Sequence, residues 1–118
     1  MNNIKHKKVS VRFFRTASGS EPVREWFLSL TKEDRSAIGQ DIKTAEYGWP
    51  IGMPICRYMG DGLWEVRTNL EGGRIARVLF FFRNNELILL NGFMKKSQKT
   101  PKSELDLAKK RKREVENG

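Results

Sequence analysis

Leu63-Trp64-Glu65-Val66-Arg67 runs to a turn at Glu71-Gly72-Gly73 and returns as Arg74-Ile75-Ala76-Arg77-Val78-Leu79-Phe80-Phe81-Phe82. A second turn at Arg83-Asn84-Asn85-Glu86 leads into Leu87-Ile88-Leu89-Leu90-Asn91-Gly92-Phe93-Met94 and then Lys95-Lys96. Apolar and aromatic runs of this length, punctuated by Gly and Asn, predict three strands of an antiparallel meander. Side chains alternate across a strand, so Leu63, Glu65 and Arg67 share one face and Trp64 and Val66 the other. In the next strand Arg77, Leu79 and Phe81 oppose Ala76, Val78, Phe80 and Phe82. With Trp64, Val66, Val78 and Phe80 in the core, Glu65, Arg67 and Arg77 gather on an open face. Arg74 joins them from the strand's edge, and Lys95 and Lys96 arrive from the end of the last strand.

Working outward, Val9, Val11 and Phe13 alternate with Ser10, Arg12 and Phe14 and predict a first strand. Pro22 is tolerated only in a helix's first turn, so Ser20 or Glu21 caps the helix that follows. Its apolar stripe is Val23, Trp26, Phe27 and Leu30. Thr31, followed by Glu33 and Asp34, reads as the N-cap of a second helix carrying Ile38, Ile42 and Ala45, with Gly48 as its stop. Ile55 to Met59 is a further strand candidate, broken by Gly60-Asp61-Gly62. Thr100 can cap a last helix that begins at Pro101 and shows a thin apolar face, Leu105 and Ala108. The order is β-α-α-β-β-β-α. It predicts an α+β fold, with a small antiparallel sheet, a helical hairpin on one face, and a C-terminal helix. The other sheet face is expected to be able to bind something.

The chain has 118 residues, a length that suits a single domain spanning 1–118. Residues 1–8 form a basic lead-in, and 109–118 reads as a frayed basic tail. Against 14 Asp and Glu stand 23 Lys and Arg, a net charge of +9 that favours nucleic acid, an acidic protein or an anionic surface as partner. A single cysteine, Cys56, excludes an internal disulfide and a Cys-rich zinc site. The N-terminal residues lack the apolar core of a signal peptide, and no apolar run is long enough to span a bilayer. The expectation is a soluble, cytoplasmic protein with no membrane partner.

The residues alone leave two accounts of the cationic face open. Its charges are solvated, with Glu65 paired across the ladder to an Arg. Alternatively, Arg forks and Lys point charges clamp a phosphodiester and stabilise charge that develops during its cleavage. Nothing resembles a metal or cofactor site. His6 is the only histidine and stands in the lead-in, and no phosphate-binding loop, Ser/His/Asp set or dinucleotide motif is present.

Leu63-Trp64-Glu65-Val66-Arg67, then Arg74 and Ala76-Arg77-Val78-Leu79-Phe80, then Leu89 through Phe93-Met94-Lys95-Lys96 to Lys99-Thr100-Pro101 resembles the RelE/HigB toxin superfamily, most closely its phage-derived HigB-like branch. The resemblance implies the toxin of a type II toxin–antitoxin module, an endoribonuclease that cuts mRNA, commonly on the ribosome. It implies a cognate helix-turn-helix, HigA-like antitoxin as partner, the pair repressing its own operon through operator DNA. Carried over residue by residue, the catalytic candidates are Arg67, Arg77 and Lys96, with Glu65 as the nearby carboxylate and candidate base. The RNA- or phosphate-binding candidates are Arg74, Lys95, Lys99 and Phe93. No metal or other cofactor is implied. Some relatives place a His or Tyr near the cleft as acid or base, and this cleft segment has neither. Electrostatics and substrate alignment are then expected to carry most of the rate, with the ribosome orienting the mRNA. The rival reading is a non-catalytic basic protein that binds nucleic acid or the ribosome on the same fold.

Overall fold

The computed structural model describes residues 9–95 and 99–118. The basic lead-in with His6, and Lys96, lie outside the described residues. The elements in chain order are β1 (Ser10–Phe13), α1 (Pro22–Leu28), α2 (Lys32–Gly48), β2 (Cys56–Gly60), β3 (Leu63–Asn69), β4 (Ile75–Arg83), β5 (Glu86–Lys95) and α3 (Lys102–Asn117). The fold is α+β, and β3, β4 and β5 pair as the expected antiparallel meander. Two features of the sheet differ from expectation. The strand candidate at Ile55–Met59 is present as β2 and pairs with β3, so the sheet has five strands, in the order β1-β5-β4-β3-β2, where the β-α-α-β-β-β-α order counted four. β1 pairs parallel to β5, from Ser10 opposite Glu86 to Phe13 opposite Leu89, so the sheet is mixed and not wholly antiparallel. Alternation of side chains specifies which face a strand buries and carries no information about its polarity.

One face of the sheet holds the helical hairpin. Pro22 occupies the first position of α1 after Glu21, and the Thr31 hydroxyl accepts the Asp34 amide at 3.2 Å, capping α2 as its sequence indicates. Val23, Ile38 and Ala45 bury against Val66, Ala76, Val78, Phe80 and Leu89. Close approach of α1 is set by Gly92, which stands opposite Val78 on this face. A Cβ at Gly92 would come within 2.5 Å of the Trp26 ring. Gly92→Ala should therefore cost about 1–3 kcal/mol by displacing α1 from β5, read as a lowered urea midpoint. An unchanged midpoint would show that Trp26 is not seated there.

The second face is where the structure departs furthest from expectation. α3 lies across it, and Phe14, Leu63, Leu79, Phe81, Ile88 and Leu90 pack with Ala108 into a second core. A register shift between Leu79–Asn91 and Phe80–Leu89 leaves Leu90 as an extra residue of β5. Such a bulge re-aims side chains, and here Leu90 enters the second core while Asn91 meets Glu104 of α3. α3 runs through Lys109 to Asn117. Arg111 donates to the Leu90 carbonyl at 2.7 Å with its guanidinium 5.4 Å from the Phe14 ring centre. Lys112 lies 5.6 Å from the Phe81 ring centre, and Arg83 donates to the Val115 carbonyl at 2.7 Å. A helix with few apolar residues can cover an apolar sheet in this way, using the stems and cation–π faces of long basic side chains. Among the described residues, no helix is long and apolar enough to cross a membrane.

Candidate functional site

Strand register brings the expected residues into neighbouring rows. Arg67 on β3 stands directly opposite Arg77 on β4, and Arg77 directly opposite Phe93 on β5. Two residues back along β3, on the same face, lies Glu65. Beyond Phe93 comes Lys95, the last residue of β5, opposite Ile75. Two guanidinium groups side by side on one face repel each other, and a nearby carboxylate relieves part of that cost.

Burial divides these residues into two layers. Glu65 and Arg77 are each only 1% exposed, so the expected open face is closed at this point. Arg77 donates to the Thr100 hydroxyl at 2.8 Å and reaches the Glu65 carboxylate at 3.5 Å. The Thr100 hydroxyl in turn donates to the same Glu65 oxygen. Thr100 therefore does not cap the last helix. Pro101 occupies the cap position with no side-chain capping bond, and the Thr100 hydroxyl serves a buried ion pair. Removing two charges from water is costly unless their remaining donors and acceptors are met, and Thr100 contributes one such contact. In this arrangement Glu65 is not accessible as a base to a ligand outside the protein.

Around the buried group lie Arg67 and Phe93, both half-buried, and Lys95 and Lys99, both exposed. Lys99 immediately precedes Thr100, whose hydroxyl holds the ion pair. Lys96 lies outside the described residues.

Arg74 does not join this group. Period-two alternation places it with Ala76 and Val78, toward the helical hairpin. Its guanidinium forms a fork on Asp34 of α2, at 2.7 Å to Oδ2 and 3.1 Å to Oδ1, and also donates to the Glu71 carbonyl at 3.1 Å. The paired hydrogen bonds from Arg74 hold the Asp34 carboxyl below its ordinary value of 3.8. A depressed folded-state pKa adds stability that is fully present above the unfolded value and lost as pH falls through the folded one. Relative to Asp34→Asn, the wild-type chain should therefore lose stability on acidification below about pH 4, measured by thermal unfolding across pH. Parallel pH profiles would count against the fork.

Two residues of the site escaped the sequence reading. Thr100 looked like a cap because it precedes Pro101, and only the fold shows its hydroxyl turned to the sheet. Asn91, buried, donates from Nδ2 to the Glu104 carbonyl at 3.1 Å and its carboxylate at 2.9 Å, tying α3 to β5. Its signal was present as the one polar residue within Leu87–Met94. Cys56 lies in the first core, where burial and the charge of Asp41 push its thiol up to about 12 and keep it unreactive. Among the described residues, no group of three or more His, Cys, Asp or Glu side chains is arranged to hold a metal.

A family model for the phage-derived Gp49-like proteins (DUF891) matches residues 25–113. That span takes in the C-terminal part of α1, all of α2, the strands from β2 to β5, and most of α3. No curated protein matches the chain. The Trp64-to-Thr100 elements that build the cationic rows fall wholly within the matched span, and the chain belongs to the Gp49-like phage-derived family, which is associated with RelE-like toxins of toxin–antitoxin pairs.

Proposed function

We propose that this chain is the toxin of a type II toxin–antitoxin pair, of the HigB-like branch, and that it cleaves mRNA engaged on the ribosome. The observation that carries this reading is the cross-strand row Arg67–Arg77–Phe93, with Lys95 beside it on β5 and Lys99 on the segment that enters α3. RNA cleavage through attack by the ribose 2′-OH builds negative charge on the phosphorus, and fixed cationic donors lower that barrier most. Arg67 is the planar fork best placed to meet a phosphate, while Lys95, Lys96 and Lys99 supply point charges along the backbone. Phe93 offers a ring edge to a neighbouring base. Arg77 and Glu65 act as positioning residues, holding Arg67's strand against the Thr100 segment. Alignment of the mRNA by the ribosome, more than a strong general base, then supplies the rate.

The natural partner is a helix-turn-helix, HigA-like antitoxin that silences the toxin and carries the complex to operator DNA. A small helix-turn-helix protein encoded in the neighbouring reading frame would support that pairing. The burial of Glu65 favours one alternative, a non-catalytic protein that binds ribosomes through the same cations. Induced expression in bacteria, with message 5′ ends mapped by primer extension, separates the two. The toxin reading expects growth arrest with new ends inside coding sequence, relieved by co-expression of the neighbouring protein. Arrest without new ends would establish the binder.

A further inference from the structure

At the opposite end of the second face, about 20 Å along β4 from Arg77 at 3.3 Å per residue, lies a groove of about 880 Å³. It opens between the β4–β5 turn, β1 and the last turns of α3. Phe14 and Ile88 close it from below, and Val115 and Ala17 add apolar wall. Its rim carries Arg12, Arg15, Arg83, Lys110 and Arg113, against the carboxylates Glu86 and Glu114. Three of the cations are already oriented. Arg12 pairs with Glu86 at 3.2 Å, Arg83 donates to the Val115 carbonyl at 2.7 Å, and Arg15 donates to the Gly19 carbonyl at 3.3 Å. Lys110 and Arg113 are exposed.

We infer that this groove docks an acidic, partly apolar segment of a protein partner. A cationic excess held on a rigid rim favours an anionic occupant, and the apolar wall favours one that can bury aliphatic side chains. A nucleic-acid strand fits less well for two reasons. Its unspecific binding relies on aromatic faces for base stacking, and the one aromatic among the groove's described residues, Phe14, is 3% exposed with the Arg111 guanidinium over its ring. Glu86 and Glu114 also interrupt the rim and oppose a continuous phosphate backbone, whereas a peptide can place a donor or an apolar residue beside them. Naming the occupant as the antitoxin rests on the toxin–antitoxin reading above. The groove's chemistry does not.

The probe is a fluorescein-labelled amphipathic peptide of Glu with Leu at every third or fourth position, titrated onto the whole chain and followed by anisotropy. Lys110→Glu with Arg113→Glu should weaken it by at least ~10-fold and flatten its salt dependence, and Arg15→Glu, on a different segment, should do the same. Lys95→Glu with Lys99→Glu, at the other end of the face, should change it less than ~3-fold, since these sites lie beyond a Debye length. A version of the peptide with Leu replaced by Ser should bind more weakly. No binding to the wild-type chain, or equal binding to the groove variants, overturns the inference. So does an oligouridylate whose binding is weakened more by the groove variants than by Lys95→Glu with Lys99→Glu. None of these outcomes depends on whether the chain cleaves mRNA, so failure here and failure of the ribonuclease reading are separate results.

Discussion

Glu65→Ala should cost about 3–5 kcal/mol of folding stability, the range for stripping one partner from a buried ion pair. Glu65 and Arg77 are each 1% exposed and 3.5 Å apart, with the Thr100 hydroxyl bonded to both. Taking away the carboxylate leaves the Arg77 charge in a desolvated position with its counter-charge gone. Thr100→Val keeps both charges and removes only the hydroxyl, so its cost should be smaller, about 1–3 kcal/mol. Replacing the pair together, Glu65→Leu with Arg77→Met, should recover much of the loss, because apolar groups of similar volume often substitute for a buried pair without penalty. Urea denaturation of the single and double variants closes the cycle. A loss below about 1 kcal/mol for Glu65→Ala would mean that the carboxylate is solvated and the face open after all. The same burial bears on how the site is probed. An Arg77→Ala chain that fails to arrest growth would have lost its fold along with its charge, so Arg77 is a poor choice for separating enzyme from binder.

Arg67→Ala is the cleaner functional probe, and it should lower mRNA cleavage by about 10²–10³-fold, the usual loss when one donor to a developing oxyanion is removed. Arg67 is half-buried where Arg77 is 1% exposed, so its truncation should cost less folding stability than loss of Arg77. Arg67→Lys should restore part of the rate. A lysine returns the charge without the planar fork that meets two phosphate oxygens at once. A chain that only binds would instead lose a fraction of its affinity in a salt-dependent way and no cleavage step, since it has none. Cleavage by Arg67→Ala at the wild-type rate would remove Arg67 from the site.

The meander was legible from Leu63 to Lys95 because alternation there is strong and the turns carry Gly and Asn. The assignment of Trp64, Val66, Val78 and Phe80 to the helical side, and of Glu65, Arg67 and Arg77 to the other, follows from that period alone and agrees with the two cores. Arg74 was misplaced by treating it as an edge residue. The same period applied one step further puts it with Ala76, where Asp34 takes its fork. The largest gap concerns α3. A helix reading Leu105 and Ala108, then Lys, Arg, Lys and Arg, has few apolar residues, so its docking on the sheet through Arg111 and Lys112 stems left little hydropathy signal. With α3 unplaced, the face beneath it looked open, and Glu65 looked available as a base. Thr100 was hidden for a related reason. A Thr before Pro is a sound local cap, and only the long-range approach of β3 and β4 gives its hydroxyl a charged alternative.

In the proposed function, Arg67 and the exposed cations around it promote cleavage of ribosome-bound RNA. Purified wild-type chain and Arg67→Ala, each mixed with a defined mRNA either free or held on stalled ribosomes, with 5′ ends mapped afterwards, test it most directly. New ends are expected within the message on the ribosome, with few on free mRNA and near-complete loss of both with Arg67→Ala. Ribosome binding by the wild-type chain with no new 5′ end on either substrate would contradict it.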